Sequence, residues 1–203
     1  FGGESMNPAL EAVRRLPDRV AGAEIVKVEL PTVYGRAGEV LEEAVRRELP
    51  DAVLCVGQAG GCSGILVERV AINLRDARIP DNGGRQPVDE AVREDGPAAY
   101  FSTVPVKRMV AAIREAGVPA FLSYSAGTFV CNDILYSLLH LAAGDYPAMK
   151  GGFLHVPYAT NQTVDKPSGT PGMELGTIAR ALERAIGAVA EAMAEGEPQE
   201  RDI

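Results

Sequence analysis

The stretch Ala120-Phe121-Leu122-Ser123-Tyr124-Ser125-Ala126-Gly127-Thr128-Phe129-Val130-Cys131-Asn132 passes from one periodicity into another. Ala120 to Tyr124 is a short apolar run with strand character, whereas Ile134, Leu135, Leu138, Leu139 and Ala142 recur at helical spacing. A strand therefore gives way to a helix, and Cys131 stands in or next to the helix's first turn. Outward from this unit the alternation repeats. Toward the N-terminus lie a helix at Val104 to Ala116 stopped by Gly117, a strand around Glu68, a strand at Ala52 to Val56, a helix at about Arg36 to Leu49 and a strand at Glu24 to Leu30. Asn7-Pro8 reads as an N-cap with proline at N1, opening a first helix to about Leu16. Toward the C-terminus follow a strand carrying His155, a helix from about Met173 to Ala194, and a tail, Glu195 to Ile203, expected to be disordered.

Alternating strands and helices imply an α/β fold, a three-layer α/β/α sandwich with a mostly parallel or mixed central sheet. With no internal repeat and no interdomain linker, residues 1–203 are expected to form a single domain. The polar stretch Asp76 to Gly96 is too long for a plain connection and reads as a functional loop. In open sheets of this kind ligands sit at the carboxyl ends of strands. Cys131 and His155 both fall just at such ends, so they are expected to share a cleft.

A helix N-terminus offers unpaired N–H groups and the positive end of the dipole, which favour the thiolate, the nucleophilic form of cysteine. Against this stands the burial habit of unpaired cysteine, which usually behaves as a small hydrophobe. His155 shifts the balance. It lies in Gly151-Gly152-Phe153-Leu154-His155-Val156-Pro157-Tyr158, an apolar run bounded by a glycine pair and a proline, which reads as a strand ending at a loop. The other histidine, His140, lies inside the helix that Cys131 begins and reads as a packed or half-exposed helix residue, which leaves His155 as the base. A third group normally orients the imidazole, and the candidate is Glu68 in the alternating run Leu66-Val67-Glu68-Arg69-Val70-Ala71-Ile72-Asn73. On composition alone Glu68 would be a solvated residue on the outer face of its strand.

Phe1-Gly2-Gly3-Glu4, Asn7-Pro8, Glu29-Leu30-Pro31-Thr32-Val33, Val56-Gly57-Gln58-Ala59-Gly60-Gly61, Glu68-Arg69-Val70-Ala71-Ile72-Asn73, Asp76-Ala77-Arg78-Ile79-Pro80-Asp81-Asn82, Gly96-Pro97-Ala98-Ala99-Tyr100-Phe101-Ser102-Thr103, Ala126-Gly127-Thr128-Phe129-Val130-Cys131-Asn132 and His155-Val156-Pro157 together resemble the pyroglutamyl peptidase I (pyrrolidone carboxylate peptidase) family. The resemblance covers nearly the whole chain. It implies a phosphorylase/hydrolase-like fold and a cysteine peptidase that removes N-terminal pyroglutamyl residues, with a Glu, Cys, His triad in chain order. By motif, Glu68 is the orienting acid, Cys131 the nucleophile and His155 the general base. Arg78 matches an arginine near the oxyanion. Phe1, Thr32, Ile79, Phe129 and Val130 correspond to an apolar pocket around the lactam ring, with Gln58 and Asn7 at polar positions near it. The resemblance implies no metal or organic cofactor, pyroglutamyl peptides as the partners bound, and homo-oligomers, relatives being commonly tetramers. Two departures stand out. The family usually opens with a short strand and a Gly-Phe-x-Pro segment ahead of Phe-Gly-Gly, whereas this sequence begins at Phe1, so an N-terminal strand is expected to be missing; and Cys62 stands where an arginine is common.

Composition agrees with a compact cytoplasmic enzyme. The 203 residues are 46% hydrophobic and 24% charged, enough for one core, and the net charge of −8 leaves no basic stripe for nucleic acid. Glu42-Glu43-Ala44-Val45-Arg46-Arg47-Glu48 reads as a solvated helix face. Three cysteines without a Cys-x-x-Cys pair suit a reducing compartment, and Cys55, inside Ala52-Val53-Leu54-Cys55-Val56, reads as core. A zinc site from Cys62, Cys131, His140 and His155 lacks the usual close ligand pairs. No apolar run approaches the roughly 20 residues of a membrane span, and Phe1 to Leu10 does not resemble a signal peptide. The rival class is a nucleotide binder, because Gly57-Gln58-Ala59-Gly60-Gly61-Cys62-Ser63-Gly64 follows a buried strand as a phosphate loop would. It has neither Gly-x-Gly-x-x-Gly nor Gly-Lys-Ser/Thr, so the glycines read as a tight strand-to-loop turn. Absence of Gly-x-Ser-x-Gly argues against a serine hydrolase, and retention of all three triad candidates against a catalytically dead relative.

Overall fold

The structure is a computed structural model, and it describes Glu4 and residues 6–196. In chain order its elements are α1 (Pro8–Arg14), β1 (Arg19–Val20), β2 (Ala23–Glu24), α2 (Arg36–Glu48), β3 (Ala52–Gln58), β4 (Ile65–Glu68), β5 (Val70–Ile72), β6 (Ala99–Phe101) and α3 (Val106–Glu115). They continue with β7 (Ala120–Ser123), α4 (Val130–Ala143), β8 (Lys150–Val156), β9 (Tyr158–Ala159), a 3₁₀ turn (Thr160–Thr163), β10 (Gly172–Met173) and α5 (Leu175–Glu195). The central sheet has the order β3-β8-β4-β7 and is mixed: β3 and β8 run parallel, β4 and β7 run parallel, and the two pairs oppose each other.

Side-chain alternation along these strands builds the three layers. Ile65 and Val67 of β4 and Leu154 and Val156 of β8 point to one face, where Met109, Ile113, Ile178 and Leu182 of α3 and α5 cover them, with Ala9 and Ala12 of α1 alongside. Cys55 of β3 and Phe153 of β8 point to the other face, onto Leu41 of α2 and Leu135, Leu138 and Leu139 of α4. Helix α4 is buried nearly all round, as a helix wedged between a sheet and other elements must be. At its far end Leu138 and Leu139 crowd Gly151, while its first turn lies over Gly57, so α4 runs antiparallel to β8.

Most expected elements are present, with informative exceptions. Asn7 caps α1, its Oδ1 accepting from the Ala9 N–H at 3.0 Å, with Pro8 at N1. The expected strand at Glu24 to Leu30 shrinks to β2, paired with β1, and the rest follows the cavity wall without a ladder partner among the described residues. The run through Glu68 is not one strand. It breaks at Arg69, so that β4 stays in the central sheet while β5 pairs antiparallel with β6, and Ser102 pins the junction by donating from Oγ to Glu68 O (2.6 Å) and from N to Arg69 O (2.9 Å). Of the glycines read as a turn after β3, Gly61 makes it at φ 93°, whereas Gly57 is a residue of the strand itself. Helix α5 extends through Glu195; the rest of the expected disordered tail, residues 197–203, lies outside the described residues, as does Phe1.

Candidate active site

The strand directions correct one expectation. Because β7 opposes β8, its carboxyl end points away from the end of β8 that carries His155. Residues 124–129 carry the chain back, and only then does α4 begin, over the His155 end. Cys131 and His155 share a cleft through this return segment, not through parallel strands. The segment is pinned to the Asp76 loop by a pair of bonds: Asp76 N–H to Thr128 O at 3.1 Å and Thr128 Oγ1 to Asp76 O at 2.7 Å.

Asn132 and Asp133 fasten the start of α4. The Asn132 amide spans the β5 exit, accepting from Ile72 N–H at 3.0 Å and donating to Ile72 O and Leu74 O at 2.9 and 3.0 Å. Asp133, 1% exposed, accepts from Arg75 Nε at 2.6 Å and from the Gly35 N–H at 3.2 Å. The expected functional loop is anchored by Asp81, whose carboxylate accepts from the N–H groups of Tyr34, Gly83 and Arg85, each at 2.8 Å. Residue spacing alone gave no sign of these three side chains as a scaffold; their partners lie as much as 98 residues away and are reached only through topology.

Glu68 is fully buried, against the composition-based expectation of a solvated face. Glu68 and His155 project from the same face of neighbouring antiparallel strands, on a diagonal of the ladder, and Glu68 Oε1 lies 2.7 Å from His155 Nδ1. A carboxylate can only accept, so Nδ1–H donates and Nε2 is the nitrogen left for Cys131, which lines the same cavity. Burial pushes the His155 imidazole toward the neutral form, but hydrogen bonds and Coulombic attraction from Cys131 and Glu68 outweigh it and raise its pKa to about 9. The second carboxylate oxygen, Glu68 Oε2, is buried with no hydrogen-bond partner among the described residues. Such a group costs stability unless the charge faces a cation, which a protonated His155 supplies. The Phe153 ring packs on the imidazole at 4.7 Å between centroids.

Cys131 is half-buried and Cys55 buried, and burial, with Cys131 nearby, pushes the Cys55 thiol up to about 12. Gly57 is the functional residue that the sequence reading misassigned. A Cβ there would lie 3.0 Å from Cys131 Sγ and 2.8 Å from the Phe153 ring, so only glycine lets β3 pass directly beneath the thiol. The signal that could have found it is a glycine as the sixth residue of a strand otherwise made of larger side chains.

A cavity of about 1680 Å³ brings together Cys131, His155, Asn7, Thr32, Gln58, Arg78, Ile79, Phe129 and Val130, and continues along the outer edge of β3 between α1, α5 and residues 21–32. Glu68 sits behind His155. Arg78 is exposed, with no ion pair or hydrogen bond among the described residues. Asn7 and Gln58 turn out to be partly committed: Asn7 Oδ1 caps α1, and Gln58 leaves β3 on the face opposite Gly57, where its Oε1 accepts from Gln162 Nε2 at 3.1 Å. Gln162, which no motif or spacing singles out, also donates to Glu4 Oε2 and Met6 O and accepts from Ala159 N–H. It thereby ties the segment after β8 to the end of β3.

Comparison with known proteins agrees along most of the chain. The family described as pyroglutamyl peptidase matches residues 1–192. A pyrrolidone-carboxylate peptidase of Streptococcus suis is 56% identical over 191 residues, covering 94% of this chain and 88% of the relative. One from Enterococcus faecalis is 57% identical over 168 residues, 83% of this chain and 79% of that protein. Among solved structures, pyroglutamyl peptidase I of Bacillus amyloliquefaciens superposes with a TM-score of 0.90 at 47% identity, covering 94% of this chain and 92% of its own. The pyrrolidone carboxyl peptidase of Thermococcus litoralis superposes at 0.93 with 36% identity, covering 100% and 94%.

Proposed function

This chain belongs to the pyroglutamyl peptidase family, and from that premise we propose that Cys131, His155 and Glu68 perform its reaction. The enzyme is a cysteine peptidase that removes N-terminal pyroglutamyl residues. The observation that carries the residue assignment is the continuous line of contacts from Glu68 Oε1 through the His155 ring to Cys131, closed off from solvent on the Glu68 side and open to the cavity on the Cys131 side.

His155 takes the Cys131 proton through Nε2, and Glu68 holds the ring and its positive charge in place. The thiolate attacks the pyroglutamyl carbonyl. The tetrahedral oxyanion is received by the Cys131 N–H, in the first turn of a helix whose N-cap carries no side-chain hydrogen bond, and by Arg78, a cation on the cavity wall without an ion pair among the described residues. Collapse expels the amine, which takes its proton from His155, and water hydrolyses the thioester. Ile79, Phe129 and Val130 supply the apolar walls for the ring, Thr32 its rim, and Asn7 and Gln58 contribute through the groups their structural bonds leave over.

This reading predicts discrimination between two five-membered rings. Pyroglutamate is a neutral lactam, whereas an N-terminal proline is a secondary ammonium ion that an apolar pocket would have to strip of water without a partner. Groups that pair with the lactam would also be left unpaired, and sites of this kind discriminate by about 10⁴-fold or more. The measurement is kcat/KM for a pyroglutamyl and a prolyl fluorogenic amide under identical conditions; comparable values would overturn the reading. A cytoplasmic location and a homo-oligomer, tetrameric as the family resemblance implies, belong to the same proposal. They are supported by three unpaired cysteines and by the family's habit, and are tested by fractionation and light scattering. Among the described residues no helix is long and apolar enough to cross a membrane.

A further inference from the structure

The return segment 124–129 places Cys131, yet it belongs to no ladder of the sheet. Its midpoint, Gly127, stands at φ 77°, and the hydroxyl bonds that brace its first half, from Ser123 and Ser125, are exposed. Beside the bond from Thr128 Oγ1 to Asp76 O, the second half is fixed through the Thr128 carbonyl oxygen. It accepts from Asp76 N–H at 3.1 Å and from the Tyr34 hydroxyl at 3.1 Å, which occupies both of its lone pairs. Tyr34 is 4% exposed and is itself held on three sides: its N–H donates to Asp81, the Arg75 guanidinium lies 5.9 Å over its ring, and its ring meets Phe129 edge-on at 5.3 Å.

We propose that Tyr34 is a positioning residue, whose hydroxyl sets the peptide leading into Cys131 and whose ring props the Phe129 wall of the pocket. A trans peptide whose C=O is held toward Tyr34 and Asp76 turns the Phe129 N–H to the opposite side, and the Val130 and Cys131 N–H groups follow from that plane into the first turn of α4. Oxyanion donors act through placement, so a small rotation of this plane weakens transition-state binding without altering the ground-state pocket. The ring acts separately, through Phe129. Burial first, then the nearby Asp133 and Asp81 charges, push the Tyr34 phenol up to about 12 against the pull of Arg75, so it remains a donor throughout the working range. The inference rests on Cys131 being the nucleophile and Phe129 a pocket wall.

The test is Tyr34→Phe and Tyr34→Leu, assayed for kcat and KM on a pyroglutamyl fluorogenic amide beside Cys131→Ala, with melting temperatures measured in parallel. Tyr34→Phe keeps the ring and is expected to lower kcat about 5- to 20-fold with KM within about twofold of wild type. Tyr34→Leu is expected to lower kcat similarly and to raise KM about 5-fold or more as Phe129 loses its support. A lowered melting temperature with wild-type kcat and KM in Tyr34→Phe, beside an inactive Cys131→Ala, would overturn the proposal and leave Tyr34 a structural residue. Activity surviving in Cys131→Ala would instead overturn the nucleophile assignment on which it rests. Should Tyr34→Leu fail to fold, the kcat and KM of Tyr34→Phe decide the matter alone.

Discussion

The two faces of the central sheet use the same strands for opposite purposes. On the α1, α3 and α5 side, Ile65, Val67, Leu154 and Val156 meet an apolar helix layer, and the gain is burial of roughly 25 cal/mol per Å². On the α2 and α4 side, the residues alternating with them include Glu68 and His155, and the helix above contributes Asn132 and Asp133. Leu154 and His155 are adjacent in one strand, yet one packs in the apolar layer and the other is the proposed general base. Buried polar groups are costly unless paired, so the second face adds to its own apolar cluster a set of directed bonds, several of them reaching across long sequence separations. One face should tolerate substitution in proportion to volume, and the other should be sensitive to single atoms.

The sharpest contrast should come from Cys131→Ala. Loss of the Sγ removes the proposed nucleophile and is expected to cost about 10⁴-fold or more in turnover with the fold intact, and His155→Ala nearly as much. Circular dichroism and a peptidase assay on the same sample check this. Iodoacetamide should label Cys131 ahead of Cys55, because Cys131 opens to the cavity while Cys55 is buried with its thiol pushed up to about 12; mass spectrometry after partial inactivation reads the order.

Gly57→Ala is expected to rank next, at about 10²-fold in kcat/KM. One added methyl group must displace either Cys131 Sγ or the Phe153 ring that backs His155, and displacements of the order of 1 Å cost about that much. Wild-type kinetics in Gly57→Ala would show that the thiol side can yield as freely as the apolar side.

Local pattern made the fold legible: the helical spacing after Cys131, the Asn7-Pro8 cap and the β8 run each depend on neighbours in sequence. Strand direction was not legible, because nothing local says whether β7 runs with or against β8, and the route to the shared cleft was misread for that reason. Length misled at residues 24–30, where an apolar alternation finds only a two-residue partner. The candidate triad was within reach of the sequence only in part. Cys131 sits at a helix start and His155 near a strand end, but Glu68 looks like a surface residue until β8 is laid antiparallel to β4. Asp133, Arg75, Asp81 and Tyr34 were silent, since their meaning lies in partners as much as 98 residues away.

Glu68→Gln should fall below these in effect, at about 10- to 100-fold, because an amide can still reach Nδ1 but brings no charge. Its signature is in pH. His155 is raised from 6.5 to about 9, so the imidazolium proposed to protonate the leaving amine is lost only above about pH 9, and the alkaline limb of kcat/KM should lie there. Without the Glu68 charge the limb moves to lower pH. The sign for stability is the same: a raised histidine stabilises the fold fully below about 6.5, and that contribution disappears as pH rises through about 9. Melting temperature against pH should therefore decline over this window in wild type and decline less in Glu68→Gln. A limb that stays in place would make Glu68 a spacer for the ring with no electrostatic role.

The smallest effect on turnover should come from the largest disruption of the opposite face. Leu182 of α5 is 1% exposed and packs among Leu154, Val156 and Ile178 in the apolar layer. Leu182→Ala removes buried methyl groups and leaves a hole that the surrounding helices fill only in part, at a cost of about 2–5 kcal/mol in unfolding free energy. None of the bonds that set His155 or Cys131 passes through it. The expected result is a clear drop in chemical-denaturation midpoint together with kcat and KM within about twofold of wild type at a temperature where the variant is folded. Leu154→Ala, one residue from His155, sharpens the same test, because the β8 backbone is then the only covalent path from the hole to the imidazole. If either variant loses turnover on the scale expected of Glu68→Gln while remaining folded, stability and chemistry are not segregated by face, and packing on the α5 side helps aim the imidazole at the thiol.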